Sequence, residues 1–158
     1  MNKIGFDIHG VIDQNPQLFS KIIKQFRKLN YEIHILTGSL IDGSIKTELK
    51  GYDVEYDHIF SILEYHKNKD TEMWTDENGR FWIDDNTWNE TKAKYCNKHK
   101  LSFHIDDTLV YGKYFDVPFG HITPTDRNPR IIEIKGDLND QIIEVLKDNE
   151  GYYKLSFI

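Results

Sequence analysis

Apolar and polar positions along the chain change period several times, from short strand-like runs to helical stripes. Lys3-Ile4-Gly5-Phe6-Asp7 is mostly apolar and stops on an aspartate, as a buried strand with a polar carboxyl end would. Asn15-Pro16 then supplies a helix cap and a first helical position. Leu18, Phe19, Ile22, Ile23, Phe26 and Leu29 recur at helical spacing, with Lys21, Lys24 and Lys28 between them as a solvated face. Asn30 is expected to end this helix in a left-handed conformation. Tyr31 to Leu36 reads as a second strand, closed by Thr37-Gly38-Ser39. A right-handed crossover makes the two strands parallel and brings Asp7 and Thr37 to the same sheet edge.

Further on, Leu40, Ile41, Ile45 and Leu49 form a weaker helical stripe with Gly51 as its expected stop. His58 to Ile62 reads as a third strand, with a buried helical turn as the alternative, and Glu64 to Asp70 as a loop. Residues 72–83 carry a hairpin signal, two aromatic-rich runs around Asn78-Gly79, a pair suited to positive φ. Trp74, Phe81 and Trp82 are expected to be packing groups, although a hairpin inserted between core elements can also roof a site. Asp84-Asp85-Asn86 offers caps for a helix from Thr87 to His99, and Leu101 to Ile105 forms a strand leading into Asp106-Asp107. Ile122 is placed on a short edge strand and Arg130 to Lys135 on another strand. A last helix carries Leu138, Ile142, Ile143, Val145 and Leu146, with Gly151 past its end.

Bulk composition narrows the class. The 158 residues suit a single domain, and the 39% hydrophobic and 13% aromatic shares suit a globular one. A formal charge of −6 argues against a general nucleic-acid coat. Cys96 has no intrachain partner, as fits a reducing compartment, and reads as a small helix residue rather than a nucleophile. No run approaches the roughly 18 apolar residues needed to cross a bilayer, and the first residues carry no signal pattern. A cytoplasmic protein without a membrane segment is the expectation.

The strand ends carry the candidate chemistry. Asp7 and the pair Asp106-Asp107, with the carbonyl of His9, form a reasonable oxygen set for a hard cation such as Mg²⁺. Asp106 and Asp107 are not distinguished at this stage: one should ligate the metal and the other bond locally. An aspartate so placed can attack phosphorus once a metal and a lysine offset the charge. Lys92 is the expected lysine, with Lys94 as the fallback on another helix face. Thr37 and the amides of Gly38 and Ser39 could hold phosphoryl oxygens. Asp13 is expected to brace the loop after the first strand. His34, His58, His66, His99, His104 and His121 show no HxH or HxxxH spacing, so zinc is not expected. His104 should share a strand face with Asp106 as a packed histidine.

Taken together, Asp7-Ile8-His9-Gly10-Val11-Ile12-Asp13, Leu36-Thr37-Gly38, Thr91-Lys92-Ala93 and Ile105-Asp106-Asp107 resemble the four motifs of the haloacid dehalogenase (HAD) superfamily of aspartate-nucleophile phosphotransferases. The stretch from Thr91 to Cys96 before the aspartate pair is most similar to its small nucleotidase-like members. The resemblance spans roughly residues 3 to 115 and implies an α/β fold, a Rossmann-like three-layer sandwich with a mainly parallel sheet. It also implies Mg²⁺ dependence and hydrolysis of a phosphate monoester, with Asp7 as nucleophile and a nucleotide or a polynucleotide end as the candidate substrate. The hairpin at 72–83 would be the only lid. His9 departs from the family pattern, which usually has a second aspartate there as general acid and base. Imidazole can perform both transfers near neutrality. The alternatives are another reaction of the superfamily, or a phosphate-binding module with little turnover.

Overall fold

The computed structural model describes residues 1–158. Its centre is a seven-stranded sheet in which β1 (Lys3–Asp7) lies between β2 (Glu32–Thr37) and β6 (Phe103–Asp106). β3 (His58–Ser61) forms one edge beside β2, and β7 (Phe119–Ile122), β8 (Arg130–Lys135) and β9 (Tyr153–Phe157) continue outward from β6. The first five in this spatial order are parallel, and β8 and β9 run antiparallel to them. The chain builds outward from β1 through β2 to β3, then crosses to β6 on the far side of β1. That reversal creates a crevice above the carboxyl ends of β1 and β6.

Alternation within the strands sorts side chains between two layers. Ile4, Phe6, Ile33, Ile35, Phe103 and Ile105 pack with Phe19, Ile22 and Phe26 of α1 (Pro16–Lys28), Ile45 and Leu49 of α2 (Gly43–Gly51), and Ile142 and Leu146 of α5 (Asp140–Asp148). On the other face Leu36 joins Ala93 and Cys96 of α4 (Asp85–His99) and Tyr111, Phe115 and Phe119. This is the expected α/β sandwich with a mostly parallel sheet. The strand residues on the α4 face include Asp7, His34, His104 and Asp106, so the polar chemistry and the larger apolar core occupy opposite sides.

Local signals behave as physics requires in most elements. Asn15 accepts from the Leu18 amide at the start of α1, Pro16 fills its first position, and Asn30 beyond its end has φ 64°. Asp84 caps α4 by accepting from the Thr87 amide, and Gly151 past α5 has φ 120°. Cys96 is buried on α4.

Several elements differ from the sequence expectation. Glu64 to Asp70 is not a loop: α3 (Ile62–Asn68) fills most of it, capped by the Ser61 hydroxyl and burying Ile62 and His66. α2 begins only at Gly43, after the cap Asp42, so Leu40 and Ile41 precede it; Gly51 lies within it and Asp53 takes the left-handed turn, φ 58°. β7 is interior, because β8 pairs along its outer side. β9 is an additional strand beyond those expected, and it pairs with β8 from Arg130–Tyr153 to Ile134–Phe157. The hairpin is present as β4 (Trp74–Thr75) and β5 (Phe81–Trp82), a separate two-stranded sheet. Its aromatic residues are not core groups: Trp74, Phe81 and Trp82 are 53%, 42% and 45% exposed.

Candidate functional site

The crevice between β1 and β6 holds a buried ion triad. Register places Phe6 beside both Ile35 and Ile105, so Asp7, Thr37 and Asp106 emerge at one sheet edge. α4 crosses beneath them with Thr91, Lys92, Ala93 and Cys96 turned inward. The Lys92 ammonium donates to Asp7 Oδ1 at 3.0 Å and to Asp106 Oδ2 at 2.8 Å. Lys94, on another helix face, pairs with Glu90 at the surface. Of the two lysines, Lys92 is the one aimed at the aspartates.

Each carboxylate has a different environment. Asp7 Oδ1 also accepts from the Ile8 amide at 2.9 Å, leaving Oδ2 without a donor. Asp106 Oδ2 accepts from Lys92 and from His104 Nε2 at 2.9 Å, and its Oδ1 from the Thr108 amide at 3.1 Å. Asp107 is half-buried and meets only the Thr108 hydroxyl, at 3.4 Å. Burial pushes the Asp7 carboxyl well above the usual carboxylate range, against the pull of Lys92 and with help from the repulsion of Asp106 and Asp107. Burial acts the same way on Asp106, but Lys92 and the His104 hydrogen bond outweigh it and hold that carboxyl well below the usual range. Lys92 is likewise desolvated, yet Asp106 and Asp7 raise it and keep it charged. Burial lowers His104, against its Asp106 bond, and so favours the neutral ring.

The donor set fits Mg²⁺. Ligand atoms of Asp7, Asp106 and Asp107 all lie within 4.8 Å of one another. Lys92 is the only cation bonded to these carboxylates, and a divalent cation among them would offset the mutual repulsion that, with burial, disfavours ionised Asp7. The loop after β1 is shaped to the same space: Gly10 has φ +93°, and a Cβ there would lie 2.0 Å from Asp107 Oδ2. The Gly10 amide donates to Asp13 Oδ1 at 2.7 Å, so Asp13 braces the loop as expected. No backbone amide is bonded to the His9 carbonyl, which leaves that oxygen available.

Other expected groups are placed differently. The His9 ring is exposed and pairs through Nε2 with Glu48 Oε1 at 3.2 Å; Glu48 also accepts from the Tyr52 hydroxyl at 2.8 Å. His9, Asp13 and Glu48 form their own cluster at the rim, and His9 makes no hydrogen bond to Asp7. Thr37 is buried, and its hydroxyl accepts from the Ser39 amide at 3.1 Å. That amide is therefore engaged, which leaves the Thr37 hydroxyl proton and the Gly38 amide as the unengaged donors of this turn.

Four contributors were not visible in the sequence. Glu48 orients His9. Arg130 donates to the Gly10 carbonyl at 2.8 Å and the Thr123 carbonyl at 2.7 Å, which ties β8 to the loop. Trp88 donates to the Tyr111 hydroxyl at 2.8 Å, and its ring lies where a Gly38 Cβ would fall, 2.9 Å away. The Tyr111 ring centre is 5.4 Å from Lys92 Nζ. Phe81, Trp82, Ile83, Asp85 and Trp88 line an open cavity of about 180 Å³, so the hairpin borders the Thr37-Gly38 turn through Trp88. A larger cavity of about 580 Å³ lies over Lys21, Lys24 and Lys28 on the opposite face of the sheet, where it cannot serve this chemistry. No family model matches the chain, and no curated protein matches it in sequence.

Proposed function

We propose that this chain is a HAD-type, Mg²⁺-dependent phosphohydrolase that cleaves phosphate monoesters through an aspartyl-phosphate on Asp7. The supporting observation is the Lys92 ammonium bridging Asp7 and Asp106, with Asp107 alongside, at the crevice where an α/β sheet reverses its strand order. Asp7 Oδ2, which has no donor, attacks phosphorus, and the bond from phosphorus to the leaving oxygen breaks. Lys92, the Thr37 hydroxyl and the Gly38 amide meet the phosphoryl oxygens. His9 gives a proton to the departing alkoxide after leaving Glu48, then takes one from the water that attacks the acyl phosphate. Inorganic phosphate and free Asp7 result. Mg²⁺, held by Asp7, Asp106 or Asp107 and the His9 carbonyl, would neutralise charge on the phosphoryl group.

The exposed hairpin aromatics beside this crevice favour a substrate with a flat ring, a nucleotide or a polynucleotide end, because every base offers a face for stacking. Lys67, 5.3 Å from the Phe81 ring centre, adds positive charge for a backbone phosphate. One observation favours a second reading: His9 is tied to Glu48, as in a module that binds phosphorylated ligands with little turnover. Phosphate release from an aryl phosphate and from nucleoside monophosphates, with Mg²⁺ or with chelator, separates the two. The enzyme reading expects metal-dependent release that Asp7→Asn abolishes and His9→Asp maintains or raises. Equal release from wild type and Asp7→Asn would remove the nucleophile. Mg²⁺-dependent ligand binding without release would support the module.

A further inference from the structure

A second group of metal-ligating side chains lies on the α4 face of the sheet, near its exposed edge. Glu32 and His34 sit two positions apart on β2 and so share a face. His58 on β3 is the register partner of His34. The two imidazoles stack with centroids 4.7 Å apart, and both Nε2 atoms converge on Glu32 Oε1, at 2.7 Å and 3.1 Å. All three ligand atoms lie within 4.8 Å of one another. A tetrahedral zinc with bonds near 2.0–2.1 Å needs ligand atoms about 3.3 Å apart, so small side-chain rotations suffice.

The surroundings favour a metal over a plain hydrogen-bonded cluster. The His34 Nδ1 lies 2.7 Å from the Tyr95 hydroxyl, the kind of outer partner that fixes the tautomer and leaves Nε2 free to ligate. The His58 side chain is 54% exposed, which gives an ion a way in and leaves room for a water as fourth ligand. His99 closes one side, its ring 4.3 Å from that of Tyr95. Lys3 brings a positive charge near Glu32 and His34, but its ammonium is tethered to the His99 carbonyl at 3.2 Å. Two imidazoles and one carboxylate suit zinc, cobalt or nickel and not Mg²⁺.

We propose that Glu32, His34 and His58 form a second cation site, one that takes a borderline divalent metal such as Zn²⁺ and fastens the edge strand β3 to β2. β3 has only four residues and a single neighbour in the sheet, so a tether across that pair would hold the strand where backbone pairing is thinnest.

Cobalt is the direct probe. Chelator-treated protein is titrated with Co²⁺ in excess Mg²⁺, which occupies the aspartate site, and the visible absorption of four-coordinate cobalt is followed. Saturable absorption is expected for the wild type. It should weaken about tenfold or more in Glu32→Gln and in His58→Gln, and persist in Asp7→Asn. Zn²⁺ should raise the melting temperature of the wild type and not that of His58→Gln. Metal-free melts of the same variants show whether each is folded. Absorption that is absent from the wild type, unchanged in both edge variants, or lost only in Asp7→Asn would overturn the site and leave Glu32 as an acceptor of two N–H bonds.

Discussion

Replacing Lys92 by Met isolates the charge on which the candidate active site is balanced. Methionine keeps most of the apolar stem, so the buried volume changes little, but the ammonium between Asp7 and Asp106 disappears. In the wild type that group is 2% exposed and lies 3.0 Å and 2.8 Å from the two carboxylates. Removing one partner of a buried ion pair costs about 3–5 kcal/mol, because the other charge stays buried without compensation. Here two carboxylates are orphaned, with Asp107 beside them. The assay is urea unfolding in chelator and again with Mg²⁺, alongside phosphate release. Lys92→Met should lose stability in that range and all measurable turnover. Mg²⁺ should return part of the loss, since a ligand at a hundredfold its Kd stabilises a folded protein by about 2.7 kcal/mol. Adding Asp7→Asn removes one of the orphaned charges, so the double variant should lose less than the sum of the two single losses. A wild-type urea midpoint for Lys92→Met, or strictly additive losses in the double variant, would refute the charge balance derived above.

Three further outcomes follow from separate features. Gly10→Ala forces a Cβ into a backbone with φ +93° and against Asp107 Oδ2; it should cost about 1–3 kcal/mol in denaturant unfolding and shrink the Mg²⁺-induced rise in melting temperature. Trp82→Ala should raise KM for a nucleotide by the equivalent of about 1–3 kcal/mol of lost stacking; turnover of a small aryl phosphate and the melting temperature should hold, because the ring is 45% exposed. His66 is buried between the Thr71 and Thr91 hydroxyls at 2.8 Å and 2.7 Å, and burial lowers its titration below the ordinary value of 6.5. Its protonated form is therefore disfavoured in the folded state and the unfolded chain binds the proton more readily. Stability from this group should be full above about pH 6.5 and decline as pH falls below it. A urea midpoint followed against pH should show that decline in the wild type and a smaller one in His66→Gln.

What the sequence reveals depends on whether neighbours along the chain or across it define a feature. Asp7, Thr37 and Asp106 are legible because each closes a short apolar run, and Lys92 because its helix is marked by Asp84 and by the run to His99. α3 escapes such reading because only Ile62 and His66 of its seven residues are buried, too few to set a period. β7 reads as an edge because Pro118, Gly120 and Pro124 surround Ile122. Yet Gly120 serves an interior strand: a Cβ there would lie 2.5 Å from the Phe103 ring of the neighbouring β6. β9 does alternate, with Tyr153, Leu155 and Phe157, but its partner β8 is set only by the fold. The same division applies to chemistry. Spacing rules for zinc look along one strand or helix and find nothing, whereas His34 and His58 are 24 residues apart in chain order and adjacent in register. Glu48, Arg130, Trp88 and Tyr111 likewise reach His9, Gly10, Gly38 and Lys92 around the aspartate site from elements whose docking no local pattern announces. α4 joins the two kinds of feature. Lys92, Tyr95 and His99 follow one another at helical spacing, and they face the Asp7–Asp106 pair, His34 and the His34–Tyr95 cluster in turn. The helix rotation that buries Lys92 between two carboxylates is thus the one that sets Tyr95 against His34, so a single stripe of α4 backs both candidate cation sites.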